Sequence, residues 1–162
     1  MMRIRLLISF FLLLAMANLA ADEKTGQESA AVSQRSPSSD GAAVSFHNPE
    51  NGDVVAPTFT VKFLISGMGI APAGSDIENT GHHHLLIDLA ELPDMNQPLP
   101  SSQQIRHFGK GQSETELTLP EGEHTLQLLF ADYLHRPHDP VVISDKITIT
   151  VSNDAVQQPE QP

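Results

Sequence analysis

Three consecutive histidines, His82-His83-His84, open the apolar run Leu85-Leu86-Ile87-Asp88-Leu89 in a chain without cysteine or tryptophan. Imidazole titrates near neutrality and is the commonest metal ligand among side chains. Along an extended strand, alternate side chains leave opposite faces. His83 then shares a face with Leu85, Ile87 and Leu89, the continuous apolar side that should meet a core. His82 and His84 project together from the other side. Two imidazoles at i and i+2, with a third from a neighbouring segment, form a donor set for zinc or copper, since three-histidine sites occur in zinc enzymes. His-x-His alone does not complete one.

Donors elsewhere in the chain complete the candidate site. His107, in Ile105-Arg106-His107-Phe108-Gly109-Lys110-Gly111, is followed by glycines that let backbone pass close by. His135 and His138 lie in Tyr133-Leu134-His135-Arg136-Pro137-His138-Asp139, between two late strands. Asp132, Asp139 and Asp76 offer oxygen, and Met68, flanked by glycines, offers a soft thioether that would favour copper(I). The site predicted from these residues is His82, His84 and His107, joined by His135 and Asp132. His47 reads as an ordinary exposed residue. His124 follows the corner Pro120-Glu121-Gly122 and lies on the same side as Leu126 and Leu128, where a polar ring can bond back to the corner's backbone; it is expected to be structural.

Two functional readings stand side by side. In one, the domain binds copper or zinc as a carrier, a scavenger or the holder of a structural ion. In the other, the histidines cap the open end of the fold without an ion, their N–H groups bonding the loops 67–74 and 109–111. The domain is then an interaction module for an envelope protein or glycan. A bulge at Gly81 would exchange the faces of all three histidines. Catalysis is not expected: the chain has no G-x-S-x-G elbow, no H-E-x-x-H, no P-loop and no cysteine nucleophile. Water activated on a three-histidine metal is the one catalytic route open to it.

The elements that must position these side chains have an apolar period of two. Phe59, Val61, Phe63 and Ile65 share a face, Leu126, Leu128 and Phe130 another, and Glu116-Leu117-Thr118-Leu119 and Lys146 to Val151 alternate likewise. Val44 with Phe46, and Val141 to Ile143, are shorter pieces. Turn chemistry separates them at Asn48-Pro49-Glu50-Asn51-Gly52-Asp53, Ser66-Gly67-Met68-Gly69, Pro120-Glu121-Gly122 and Arg136-Pro137. About seven short strands in roughly 110 residues predict an all-β, immunoglobulin-like antiparallel β-sandwich, with a small β-barrel as the alternative.

Residues 1–21 read as a secretory signal peptide: Met1-Met2-Arg3-Ile4-Arg5, an apolar stretch from Leu6 to Leu14, then small residues up to Ala21. That apolar stretch is too short to span a bilayer, which takes roughly 20 residues. The expectation is therefore a periplasmic or secreted protein with no membrane span after cleavage. Residues 22–42 and 152–162 carry few large apolar side chains and read as disordered flanks of the domain 43–151. Losing Arg3 and Arg5 with the leader leaves seven basic residues against twenty acidic ones, a net charge of −13 with histidine neutral. Such a chain repels phosphates, so nucleic acid and anionic lipid are poor candidates as partners, and no nucleic-acid partner is expected. Without cysteine, no disulfide holds the fold.

Several motifs also carry a resemblance. Gly67-Met68-Gly69-Ile70-Ala71-Pro72-Ala73-Gly74, Thr80-Gly81-His82-His83-His84-Leu85-Leu86-Ile87-Asp88, His107-Phe108-Gly109-Lys110-Gly111-Gln112 and Phe130-Ala131-Asp132 with His135-Arg136, in that order, resemble a bacterial exported domain family of unknown function. The resemblance implies a small secreted or periplasmic domain and no particular activity. The Pro-rich loop from Leu92 to Ser102 reads as variable linker without functional residues.

Overall fold

Extended strands are what the backbone makes of the period-two stretches. The computed structural model describes residues 35–157, all within the unit Val32–Pro162; the leader and residues 22–34 of the linker lie outside the described residues. Ten strands follow one another: β1 (Ala43–Asn48), β2 (Val54–Val55), β3 (Thr58–Ser66), β4 (Gly69–Ile70), β5 (Thr80–Ile87), β6 (Ile105–His107), β7 (Glu114–Thr118), β8 (Gly122–Ala131), β9 (Pro137–Ile143) and β10 (Ile147–Val151), with a single 3-10 turn at Asn153–Gln157. The strands beyond the expected seven are the two- and three-residue pieces β2, β4 and β6, too short to show a period.

Two open sheets face each other as a β-sandwich, and the barrel alternative is excluded. One sheet is β1-β3-β7, antiparallel throughout. The other runs β2-β10-β8-β5-β4, with β6 also on β5 and β9 also on β8. It is mixed, because β2 joins β10 and β4 joins β5 in parallel. Val44, Val61, Phe63 and Leu117 from the first sheet meet Leu85, Ile87, Leu126, Leu128, Phe130 and Ile149 from the second in one apolar core. Burying each such side chain contributes roughly 1.5–3 kcal/mol.

The second sheet is covered on its outer side as well. Leu86, Leu99, Ile105, Leu129 and Ala131 form a smaller cluster there, with Leu89 and Met95 from the loop after β5 packed onto it. That is why every residue of β5 after Thr80 is buried. Pairing of β5 with β8 sets the register His82 to Ala131 and His84 to Leu129. Pairing with β6 places His84 directly opposite His107.

Part of the expected linker is held in place. Arg35 donates through Nε to the Pro137 carbonyl at 2.9 Å and through Nη2 to that of His138. The Ser38 N–H donates to the Asp139 carbonyl at 3.0 Å, and the Asp139 N–H to that of Ser36 at 2.9 Å. Hydrogen bonds from both main chain and side chains hold residues 35–42, with Ala42 packed against the core, and composition does not signal those bonds. The tail likewise begins with the turn Asn153–Gln157 rather than as coil.

Candidate metal centre

Four histidines meet at one end of the larger sheet. His82 and His84 leave β5 on its outer side and are fully buried, while His83 turns into the core between Phe63 and Phe130 at ring separations of 5.2 and 5.0 Å. The split read from strand alternation is the one observed. The same alternation works on β6 and just beyond it. His107 points to the site and Phe108 to the core, where its ring lies 4.9 Å from Phe63. Gly109 makes room for the His107 ring: a Cβ at this position would fall on the ring's Cε1 and Nε2 atoms.

His135 arrives on a tight turn between β8 and β9. The Asp132 N–H donates to the Arg136 carbonyl and the His135 N–H to the Asp132 carbonyl, both at 2.9 Å. His135 itself sits at φ 66°, in the left-handed region that non-glycine residues seldom occupy. Asp132 is buried inside this turn. Its Oδ1 accepts from the N–H groups of Leu134 and Arg136 at 2.9 Å each, and its Oδ2 from the Ser36 hydroxyl at 2.8 Å. The carboxylate therefore shapes the turn that carries His135. The ring nitrogens that gather within 4.8 Å of one another are those of His82, His107 and His135, and neither Asp132 nor His84 belongs to that set.

The gathering itself is tight. Ring centroids lie 4.9 Å apart for His82–His84 and His82–His107, 5.1 Å for His82–His135 and His84–His107, 4.6 Å for His107–His135 and 6.1 Å for His84–His135. Imidazoles bound at about 2.0–2.1 Å put their centroids about 3.2 Å from an ion, and a tetrahedron of that radius has edges of about 5.2 Å. The observed separations bracket that edge. One ring nitrogen each from His82, His107 and His135 lies within 4.8 Å of the other two. Nitrogens sharing an ion stand about 3.4 Å apart, a gap that rotation of the exposed His107 and half-buried His135 rings can close.

Electrostatics suit a cation. Burial, then the neighbouring His107 and His135, lower the pKa of His82 to about 4, against a partial upward pull from Asp132. Burial, then His82, His107 and His135, lower that of His84 to about 2. His107 is lowered too, by burial and by His135. At neutral pH these rings are uncharged and present lone pairs, the form a metal requires. Both ring nitrogens of His82 and Nδ1 of His84 are buried with no hydrogen-bond partner among the described residues. Buried polar atoms are satisfied in the great majority of cases, and an ion would take up one nitrogen of each ring; among the described residues the core ring of His83 and the ring of His138, outside the cluster, are unpartnered too.

Other candidates lie elsewhere. Met68 packs against the main core. Asp76 and His138 line a separate cleft with Ser36 and Tyr133, and the His138 ring stacks on Phe130 at 5.9 Å. Asp139 is exposed, 3.9 Å from the Arg35 guanidinium. His124 is the corner tie expected of it, with Nδ1 2.7 Å from Asp88 Oδ2 and Nε2 2.9 Å from the Pro120 carbonyl. The loop after β5 packs beside the cluster. Leu99 is buried, its N–H donates to the His135 carbonyl at 2.8 Å, and Pro98 to Ser101 wall a cleft beside the histidines. A proline-rich run shows no period, so its sequence does not signal this packing.

The fold and its site thus define a small β-sandwich with a histidine cluster that could hold a metal ion. A family model described as Domain of unknown function (DUF4399) matches residues 61–152, more than half of the 162 residues. The chain belongs to that family. The match spans all four clustered histidines. No curated protein matches, and no solved structure does.

Proposed function

We propose that this is an exported, non-catalytic domain that binds a divalent transition metal, zinc or copper(II), through His82, His107 and His135 with His84 as a fourth donor. The observation that carries the reading is the near-tetrahedral spacing of four imidazole rings. An all-imidazole set suits zinc and copper(II), and the chain has no cysteine to supply a thiolate. A buried floor of His82 and His84 under the more exposed His107 and His135 suits an ion that is taken up and released, as a carrier or scavenger requires.

The test is elemental analysis with zinc and copper titration of the mature protein. Wild-type protein should take up one equivalent. A His82→Ala, His84→Ala variant should lose it. Because removing two buried rings also disturbs packing, the exposed His107→Ala variant is measured in parallel and should weaken binding while keeping the wild-type unfolding midpoint. Uptake unchanged in both variants would remove the site.

A further inference from the structure

The four imidazoles do not close their site on all sides. His84, His107 and His135 line a cleft of about 220 Å³ whose far wall is Pro98, Leu99, Pro100 and Ser101, and His82 does not line it. An ion held by all four rings would sit with His82 behind it and the triangle of the other three in front. Within that triangle the separations are uneven, 6.1 Å for His84–His135, the widest of the six, and 4.6 Å for His107–His135, the narrowest, so the opening lies between His84 and His135. A donor arriving from the cleft would approach opposite His82, and zinc can pass from four- to five-coordination.

The chemistry of the cleft limits what can enter. Its volume is below the roughly 300–1,000 Å³ of ordinary small-molecule pockets, so the entering group is only a few atoms across. Its far wall carries two prolines and a leucine and no charged side chain, which favours a flat, uncharged ring over a hydrated anion. The Leu99 N–H bond to the His135 carbonyl fixes the wall to the turn carrying one of the ligands, so wall and triangle keep a common geometry.

We infer that the metal centre accepts a fifth, exogenous imidazole-type nitrogen donor through the His84–His107–His135 face, its ring lying against Pro98, Leu99 and Pro100. This rests on the metal-binding reading above. The donor is either a free small heterocycle or the histidine side chain of a partner that exchanges the ion, and both share one ligand chemistry. Exchange through a fifth ligand needs no prior loss of a protein ligand.

Cobalt(II)-loaded protein, whose visible bands weaken when four-coordination becomes five-coordination, is titrated with imidazole, with azide and with the peptide Gly-His-Gly. Saturable weakening of the bands by imidazole, with at least tenfold weaker response to azide and no release of cobalt, is the expected result. A matching response to the peptide assigns the donor to a partner's side chain, and a response to imidazole alone assigns it to a free heterocycle. Ser101 is exposed on the cleft wall, so Ser101→Phe should weaken imidazole binding at least tenfold and leave cobalt affinity within about threefold. Tight cobalt binding with a spectrum indifferent to imidazole, or an equal response in Ser101→Phe, would overturn the inference while leaving the metal site standing. Failure to bind cobalt at all would overturn both.

Discussion

Replacing Gly109 by alanine should separate binding from folding. A methyl group there would occupy the space of His107 Cε1 and Nε2 and come within 3.2 Å of the Ala73 Cβ. The backbone raises no objection, since Gly109 is not among the glycines at positive φ. The Ala73 contact needs relief of only a few tenths of an ångström. His107 is exposed and ends a flexible side chain, so its ring swings out rather than the sheet giving way. The fold then loses little, less than about 1 kcal/mol, or a shift in Tm below about 8 °C for a domain of this size. The metal loses a ligand held in position, and disturbing such positioning typically costs 10–100-fold in affinity, about 1.4–2.7 kcal/mol. Thermal unfolding of the apo protein and zinc titration with a competing chelator read the two quantities separately. Unchanged zinc affinity would refute the placement of His107 in the site. A large drop in apo stability would refute the argument that the ring yields before the backbone.

Gly81→Ala makes the opposite case: its Cβ would strike the Ala131 carbonyl, with His138 Nε2 and Phe130 Cε1 each at 2.8 Å. Two of these neighbours are backbone and core ring, so urea unfolding should show a loss of several kcal/mol, and a loss under about 1 kcal/mol would contradict the observed packing. At the corner, burial lowers the pKa of His124, but the Asp88 hydrogen bond, the Pro120 carbonyl and the Asp88 charge together outweigh it and the net shift is upward. A raised folded-state pKa stabilises fully below the unfolded value near 6.5 and the contribution fades as pH rises through the folded value. His124→Ala should therefore cost more stability at pH 5.5 than at pH 9 by chemical denaturation; an equal or reversed difference would count against the ion-paired corner.

Alternation along β5 was enough to send His83 into the core and His82 with His84 to the other side, and the short run around His107 was recognisable as the partner because its glycines and histidine stand together. The sandwich followed from the same period on β3, β8 and β10. What stayed hidden depends on contacts distant in sequence. Nothing local says that Asp132 spends its oxygens on Ser36 and two backbone amides, since an acidic residue next to a histidine looks the same whether it binds a metal or a turn. Burial of His84 was also not readable from β5 alone, because it faces a cleft walled by Leu99 and the proline-rich loop around it. Residues 35–42 carry few large apolar side chains, and the hydrogen bonds that tie them to β9 leave no mark on composition.

X-ray absorption at the zinc edge of the zinc-loaded protein tests the convergence of the histidines most directly. Three or four imidazole nitrogens at about 2.0–2.1 Å, with the outer-shell scattering that imidazole rings produce and no sulfur near 2.3 Å, are the predicted result. A shell dominated by oxygen, or one containing fewer than two imidazoles, would contradict the assignment of His82, His84, His107 and His135 as a metal centre.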